Sequence, residues 1–258
     1  MTAVLFSGEK GGVGTTTLAA TVASLVSEHR PTCLLSSRSA ADWAVHFKGL
    51  AVCSPAGDAG SESAERLWDA RHAAKDNLWL FDTGSIAVGE RDGLEAAIVR
   101  RLPAGGLVIV DTDPSELARY GKAFTCRISV PVLGCDAVSL RRALDPRNVV
   151  SAPSPADPFR IRLPVLNLID PKRTLCRDLE AVARNAFGAA GFVPLYFDAA
   201  VPEAAASGTV VTEYAPASQS ATDIQGLADR LLGLVIRAED CLTDDHAPIR
   251  LAAVERLS

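Results

Sequence analysis

Apolar residues in this chain fall into short continuous runs and longer periodic stretches, and their alternation predicts a layered α/β fold. Ala3–Phe6 is a fully apolar run that leads into a glycine-rich segment, 7–14. From Thr15 to Ser27, Leu18, Val22, Leu25 and Val26 recur on one side of a 3.6-residue period, which predicts a helix. The chain therefore opens as strand, glycine loop, helix. Further strands are expected at Thr32–Leu35, Leu78–Phe81, Leu107–Val110, Ile128–Leu133, Leu163–Leu168 and Phe192–Leu195. Helices are expected at Ala40–Phe47, Glu90–Arg101, Leu175–Phe187 and Ala221–Ile236. Runs such as Leu107-Val108-Ile109-Val110, with no polar alternation, fit strands buried on both faces. Strands alternating with helices imply a mostly parallel sheet flanked by helices on both faces. Residues 51–64 and Ser151–Pro158 read as loops, and no linker divides the chain. One domain is expected over 1–237, with a C-terminal tail over 238–258.

The glycine segment carries the first candidate chemistry. In Lys10-Gly11-Gly12-Val13-Gly14-Thr15-Thr16-Thr17, three glycines let the backbone curl so that several N–H groups face one point. The following helix aims its positive dipole end at the same point. Together they form an anion nest suited to nucleotide phosphates. Thr16 stands where a P-loop Ser/Thr reaches Mg2+. Two residues depart from the usual GxxxxGK[ST]: Thr15 replaces the loop lysine, and Glu9 replaces the first glycine. A lysine stands instead at Lys10, one of only five in the chain. Asp111, ending the Leu107–Val110 run, is the candidate carboxylate for Mg2+; Asp82, ending Leu78–Phe81, is its rival.

KGGVG followed by threonines resembles the deviant Walker A loop of the MinD/ParA class of P-loop ATPases. With threonine in place of lysine, it resembles in particular the BcsQ (YhjQ) family of bacterial cellulose-biosynthesis proteins. Leu166-Asn167-Leu168-Ile169-Asp170 with Arg173 and Leu175 looks like that class's adenine-side strand. Ala200–Ala204 and Glu213–Gln219 look like the C-terminal third of BcsQ. The resemblance implies a single MinD/ParA-like P-loop domain that binds ATP and Mg2+. In it, Lys10 would reach across a homodimer interface to the partner's sandwiched nucleotide. The N–H groups of Gly11, Gly12, Val13, Gly14 and Thr15 would hold phosphates. Thr16 and Asp111 would serve the metal, Thr17 the α-phosphate, Asn167 the adenine, and the backbone near Pro202 would flank the base. No catalytic residue is assigned firmly; Lys10 and Asp111 are the candidates. The implied partners are a second copy, cellulose synthase accessory subunits and the inner-membrane synthase complex.

One expected feature is missing. The class carries an Asp-x-Asp pair after the second strand, whose second member orients the attacking water. Here the chain reads Leu35-Ser36-Ser37-Arg38-Ser39, with no carboxylate at Ser37 or Ser39. A serine does not activate water at neutral pH as a carboxylate does. Asp42 follows, but is expected inside the next helix. The combination predicts nucleotide binding with weak or absent hydrolysis. The rival readings are an active MinD/ParA-like ATPase for cellular positioning and a DNA-partition protein.

Composition narrows these. A net charge of −5 over 258 residues gives no electrostatic drive for broad nucleic-acid binding, so no nucleic acid is expected. Hydrophobic residues at 48% and charged residues at 22% exclude wholesale disorder. The six cysteines form no CxxC and have no histidine at ligand spacing, which disfavours a zinc site. The four histidines form no motif, and no G-x-S-x-G elbow is present. The N-terminal residues lack a basic stretch and cleavage site, so a cytoplasmic location is expected, at most peripheral at the inner membrane. Ile249–Leu257 has an apolar stripe expected to pack or dock rather than to insert into lipid.

Overall fold

The computed structural model describes residues 1–8, 10–37, 40–48, 72–84, 88–117, 120, 124, 126–143 and 161–243. Both expected loops, 51–64 and 151–158, lie outside the described residues, as do Glu9, Ser39 and the 249–257 stripe.

The opening unit is β1 (Thr2–Gly8), α1 (Thr15–Ser27) and β2 (Thr32–Ser36). A short α2 (Ala40–Ala44) stops before the expected end at Phe47. β3 (His72–Lys75) and β4 (Leu78–Asp82) form an antiparallel hairpin. Then come α3 (Val88–Arg101), β5 (Leu107–Thr112), β6 (Cys126–Gly134) and α4 (Ala137–Ala143). The two-residue β7 (Ile161–Arg162) and β8 (Val165–Ile169) follow, then α5 (Thr174–Phe187) and β9 (Val193–Tyr196). The chain continues through α6 (Ala200–Ala206), α7 (Val211–Tyr214) and α8 (Gln219–Thr243). α8 runs unbroken across position 237: Ala238 lies in the core, and Glu239 pairs with Arg30 at 3.0 Å.

Among the described residues the strands form one sheet, ordered β3-β4-β2-β5-β1-β6-β8-β9, with β7 also on β6. Every ladder is parallel except β3–β4. The mostly parallel sheet expected from the sequence is therefore present. Successive strand side chains point to opposite faces, and the core divides accordingly. Val4, Phe6, Leu34 and Ile109 join one cluster with α1 and α8 residues. Ala3, Leu5, Leu35, Val108 and Val110 join another beneath Leu94 and Ile98 of α3. A third cluster, Leu133, Leu166, Ile169, Cys176 and Leu179, packs α5 on the β6–β8 side. Burial on both faces is why β1 and β5 carry no polar alternation.

The antiparallel edge strand is pinned by charge. Lys75 Nζ pairs with the Glu213 carboxylate and donates to Ser24 Oγ at 2.6 Å, joining β3 to α7 and α1. Burial pushes the Glu213 carboxyl up, but Lys75 and the Thr209 hydroxyl outweigh it and hold it below the ordinary range.

Strand order sets where a ligand can bind. From β1 the chain crosses to β2 on one side, while β6 lies on the other. The sheet thus reverses direction beside β1, and in such sheets a crevice opens outside the strands' carboxyl ends at that point. The glycine loop leaves β1 there.

Candidate functional site

The loop after β1 bends as its glycines require. Gly12 and Gly14 take φ of +79° and +86°, in the left-handed region. Gly14 is the N-cap of α1 and supplies no side-chain cap, so the first N–H groups of α1 face the loop. Lys10, Gly11 and Gly12 are exposed on the rim, whereas Val13 and Thr15 are buried. Thr15 packs inward against β1: a Cβ on Gly8 would lie 2.2 Å from Thr15 Oγ1 and 2.9 Å from Val13 Cγ2. Thr15 thus fills space beneath the loop. Gly8, which the motif does not flag, is required by that close approach.

Thr16 and Asp111 meet. Thr16 Oγ1 donates to Asp111 Oδ2 at 2.7 Å, and Ser36 Oγ donates to the same oxygen at 3.2 Å. The sheet enforces this: Asp111 is in register with Phe6 of β1 and with Ser36 of β2. Asp111 is 1% exposed. Asp82, the rival, is in register with Ser36 on the far side of β2, with β2 and β5 between its strand and β1, and its Oδ1 accepts from the Gly84 N–H at 2.8 Å. A threonine that donates its proton to a carboxylate keeps its lone pairs for a cation. The donor set is hydroxyl and carboxylate oxygen only, which suits a hard divalent ion whose remaining ligands come from outside the protein. Among the described residues no cluster of three His, Cys, Asp or Glu could hold a metal by itself.

Residues 37–39, which follow β2, include no carboxylate. Ser37 N–H donates to the Asp111 carbonyl at 3.0 Å, and its hydroxyl donates to Thr112 Oγ1 at 3.0 Å. Asp42 lies within α2 and is exposed. Beneath this corner, Thr83 Oγ1 donates to the Ser36 carbonyl at 2.8 Å and bonds the buried Tyr120 hydroxyl at 2.7 Å. The ends of β2, β4 and β5 are thereby held together.

Lys10 bonds within its own chain. Its Nζ lies 2.8 Å from Asp136 Oδ2. Asp136 also accepts the Val138 and Ser139 N–H groups, at 3.1 and 3.0 Å, and so caps α4. Partial burial pushes the Asp136 carboxyl up, but Lys10 and Ser139 outweigh it and hold it below the ordinary carboxylate range. The pair's contribution to stability is therefore present at neutral pH and is lost as pH falls through that lowered value. Asp136→Ala is expected to destabilise the fold by about 1 kcal/mol, the usual cost of a lost N-cap, measured by urea unfolding at pH 7. An unchanged midpoint contradicts the capping role. Asp-x-x-Ser before an apolar helix was the sequence signal for this residue.

A cavity of about 200 Å³ adjoins the loop. Gly14 and Thr17 line one wall, Asn167 and Leu168 another, and Phe197 and Pro202 a third. Thr17, Asn167 and Pro202 were singled out from the sequence; Leu168 and Phe197 were not. Leu168 takes φ +62°, rare for a non-glycine residue, where the β8–β9 register shifts. Asp198 borders the cavity and caps two helices, accepting the Ala200 N–H at 2.9 Å and the Ser220 N–H at 3.2 Å. Those N–H groups hold its carboxyl below the ordinary range.

A glycine loop between β1 and α1, a threonine bonded to the aspartate of the neighbouring strand, and a cavity beside both define the P-loop type of α/β fold. Solved structures place it more closely. The fold matches a ParA family ATPase from Chlorobium tepidum at TM-score 0.63 and 18% identity, covering 88% of this chain and 96% of that one. It matches the cell-division protein MinD of Aquifex aeolicus at TM-score 0.65 and 15% identity, covering 96% and 99%. MinD of Pyrococcus horikoshii, solved with Mg-ADP, matches at TM-score 0.59 and 14% identity, covering 91% and 98%. The chain thus has the MinD/ParA P-loop fold. No protein-family model and no curated protein matches the sequence.

Proposed function

We propose that this chain is an ATP- and Mg2+-binding P-loop protein of the MinD/ParA type that dimerises with its nucleotide and hydrolyses it weakly or not at all. The observation that carries the reading is the Thr16–Asp111 hydrogen bond beneath the uncapped start of α1. Thr16 and Asp111 would hold Mg2+, which would offset phosphate charge. The backbone N–H groups of Gly11 to Thr15 bind the phosphates, Thr17 lies against the α-phosphate, and the cavity at Pro202 receives the base. Lys10, freed from Asp136, reaches the nucleotide of a second copy. A MinD of the same fold has been solved with Mg-ADP, which supports the ligand choice.

Weak hydrolysis follows from three positions. Thr15 is buried under the loop, the Ser37 hydroxyl is bonded to Thr112, and Asp42 is exposed on α2. Phosphoryl transfer depends on charge positioned around the γ-phosphate, and none of these residues supplies it. Single-turnover assays with Mg-ATP are expected to show phosphate release far slower than dimer formation followed by sedimentation. Rapid release with dimer dissociation contradicts this and supports an active positioning ATPase.

The cellular role is drawn from the resemblance of 166–175, 200–204 and 213–219 to BcsQ. On that reading the dimer assembles, positions or regulates a bacterial cellulose synthase complex from the cytoplasm, docking on its accessory and inner-membrane subunits. Among the described residues no helix is long and apolar enough to cross a membrane. Deleting the gene is expected to abolish cellulose staining of colonies; unchanged staining contradicts the role.

A further inference from the structure

Asn167, which the resemblance places at the base, also reaches the phosphate loop. It is the third residue of β8 (Val165–Ile169), is 8% exposed, and stands opposite Gly134 in the β6–β8 ladder. Its Nδ2 donates to the Val13 carbonyl at 2.9 Å, across 154 positions of sequence. Val13 is held on both sides. A Cβ on Gly8 would lie 2.9 Å from its Cγ2, and one on Gly134 would lie 3.0 Å from its Cγ1. The next residue, Gly14, sits directly against the same amide: a Cβ there would lie 2.6 Å from Asn167 Nδ2. Immediately after Asn167, the left-handed turn at Leu168 breaks the β8–β9 register. Non-glycine residues keep such conformations only where their surroundings over-determine them.

A trans peptide directs its C=O and N–H in opposite senses. Fixing the Val13 carbonyl on Asn167 therefore turns the Gly14 N–H away from β8, at the N-cap of α1. We propose that Asn167 is a positioning residue for the phosphate loop, its amide setting the Val13–Gly14 peptide so that the loop amides are arranged for phosphate before any base arrives. This rests on the nucleotide-binding reading above. The amide that borders the base cavity is the one that shapes the phosphate nest, so the two halves of the site share one side chain. Asn167→Ala leaves the Val13 carbonyl without its donor. Asn167→Asp is nearly isosteric but sets an acceptor against an acceptor.

Two measurements test this on the full chain and both variants. The first is hydrogen exchange of the ligand-free protein. The Leu18 amide, which donates to the Gly14 carbonyl at 3.0 Å and closes α1 onto the loop, is expected to exchange about tenfold faster in both variants, as loss of one buried hydrogen bond implies. Protection of β1, β5 and β6 stays unchanged and shows that the variants fold. The second is the affinity for Mg-tripolyphosphate, which has no base, beside that for Mg-ATP. Both are expected to fall by the same factor, about tenfold. Unchanged Leu18 exchange overturns the proposal. So does a fall in ATP affinity with tripolyphosphate binding retained, which makes Asn167 a reader of the base alone. If the wild type binds neither ligand, the nucleotide reading fails, and the exchange result still decides whether Asn167 holds the loop.

Discussion

Gly14→Val will bind Mg-ATP about a hundredfold more weakly than the wild type. Gly14 sits at φ +86°, where a β-branched residue is strained by ~1–3 kcal/mol. Its new Cβ would also lie 2.6 Å from Asn167 Nδ2, an amide that is itself fixed on the Val13 carbonyl. Either the loop leaves the left-handed conformation or the Asn167 bond breaks, which costs a further ~1 kcal/mol. Both outcomes rotate the first amides of α1. Gly11→Ala is the control, since a Cβ there meets nothing within 4 Å and its φ is not in the left-handed region. Its affinity is expected within about threefold of the wild type, because no strain or contact distinguishes it. Equal affinities for Gly14→Val and the wild type, measured by titration of a fluorescent ATP analogue, would remove the loop from the site.

Acid will weaken the fold through His46. This residue follows α2, is 5% exposed, and has its imidazole pKa lowered by burial to about 4. The unfolded chain takes up that proton near the ordinary value of about 6.5. Between these values the unfolded state binds more protons than the folded one, so stability rises with pH across the window and is lost as pH falls from about 6.5 to about 4. A shift of that size corresponds to roughly 3 kcal/mol. Urea unfolding of the wild type at pH 7 and pH 4 is expected to show this loss on top of the carboxylate contribution. In His46→Phe the same interval is expected to be flatter by about that amount. Parallel pH dependence in the two proteins would show that His46 is not the group responsible. Asp136 and Glu213 act in a lower window, because their carboxyls are held below the ordinary range.

The central strands were legible because burial on both faces leaves an unbroken apolar run, as at Leu107–Val110. α1 was legible to its ends because its period is clean and a glycine stands just before it. β3 was not: His72–Lys75 mixes charge and alanine, and it is held by the antiparallel pairing with β4 and by Lys75 on Glu213, a contact that spans 138 positions. α6 and α7 were likewise missed, being too short to show a period. At the site, local spacing gave Thr16, and the longer β-branched run favoured Asp111 over Asp82. Strand order separates them, since β5 and not β4 lies beside β1. The need for glycine at Gly8 and the bond from Asn167 to Val13 are products of close approach between segments, and no single-sequence pattern encodes them. The Lys10–Asp136 pair adds a partner to a residue assigned only to a second copy.

On this reading the loop amides hold a triphosphate although Thr15 stands where the lysine is usual. Isothermal titration of the purified chain with Mg-ATP tests it most directly. The expected result is saturable heat at one nucleotide per chain, lost in Gly14→Val and strongly reduced without Mg2+. An absence of heat at every protein concentration, from a chain whose circular dichroism shows it folded, would contradict it.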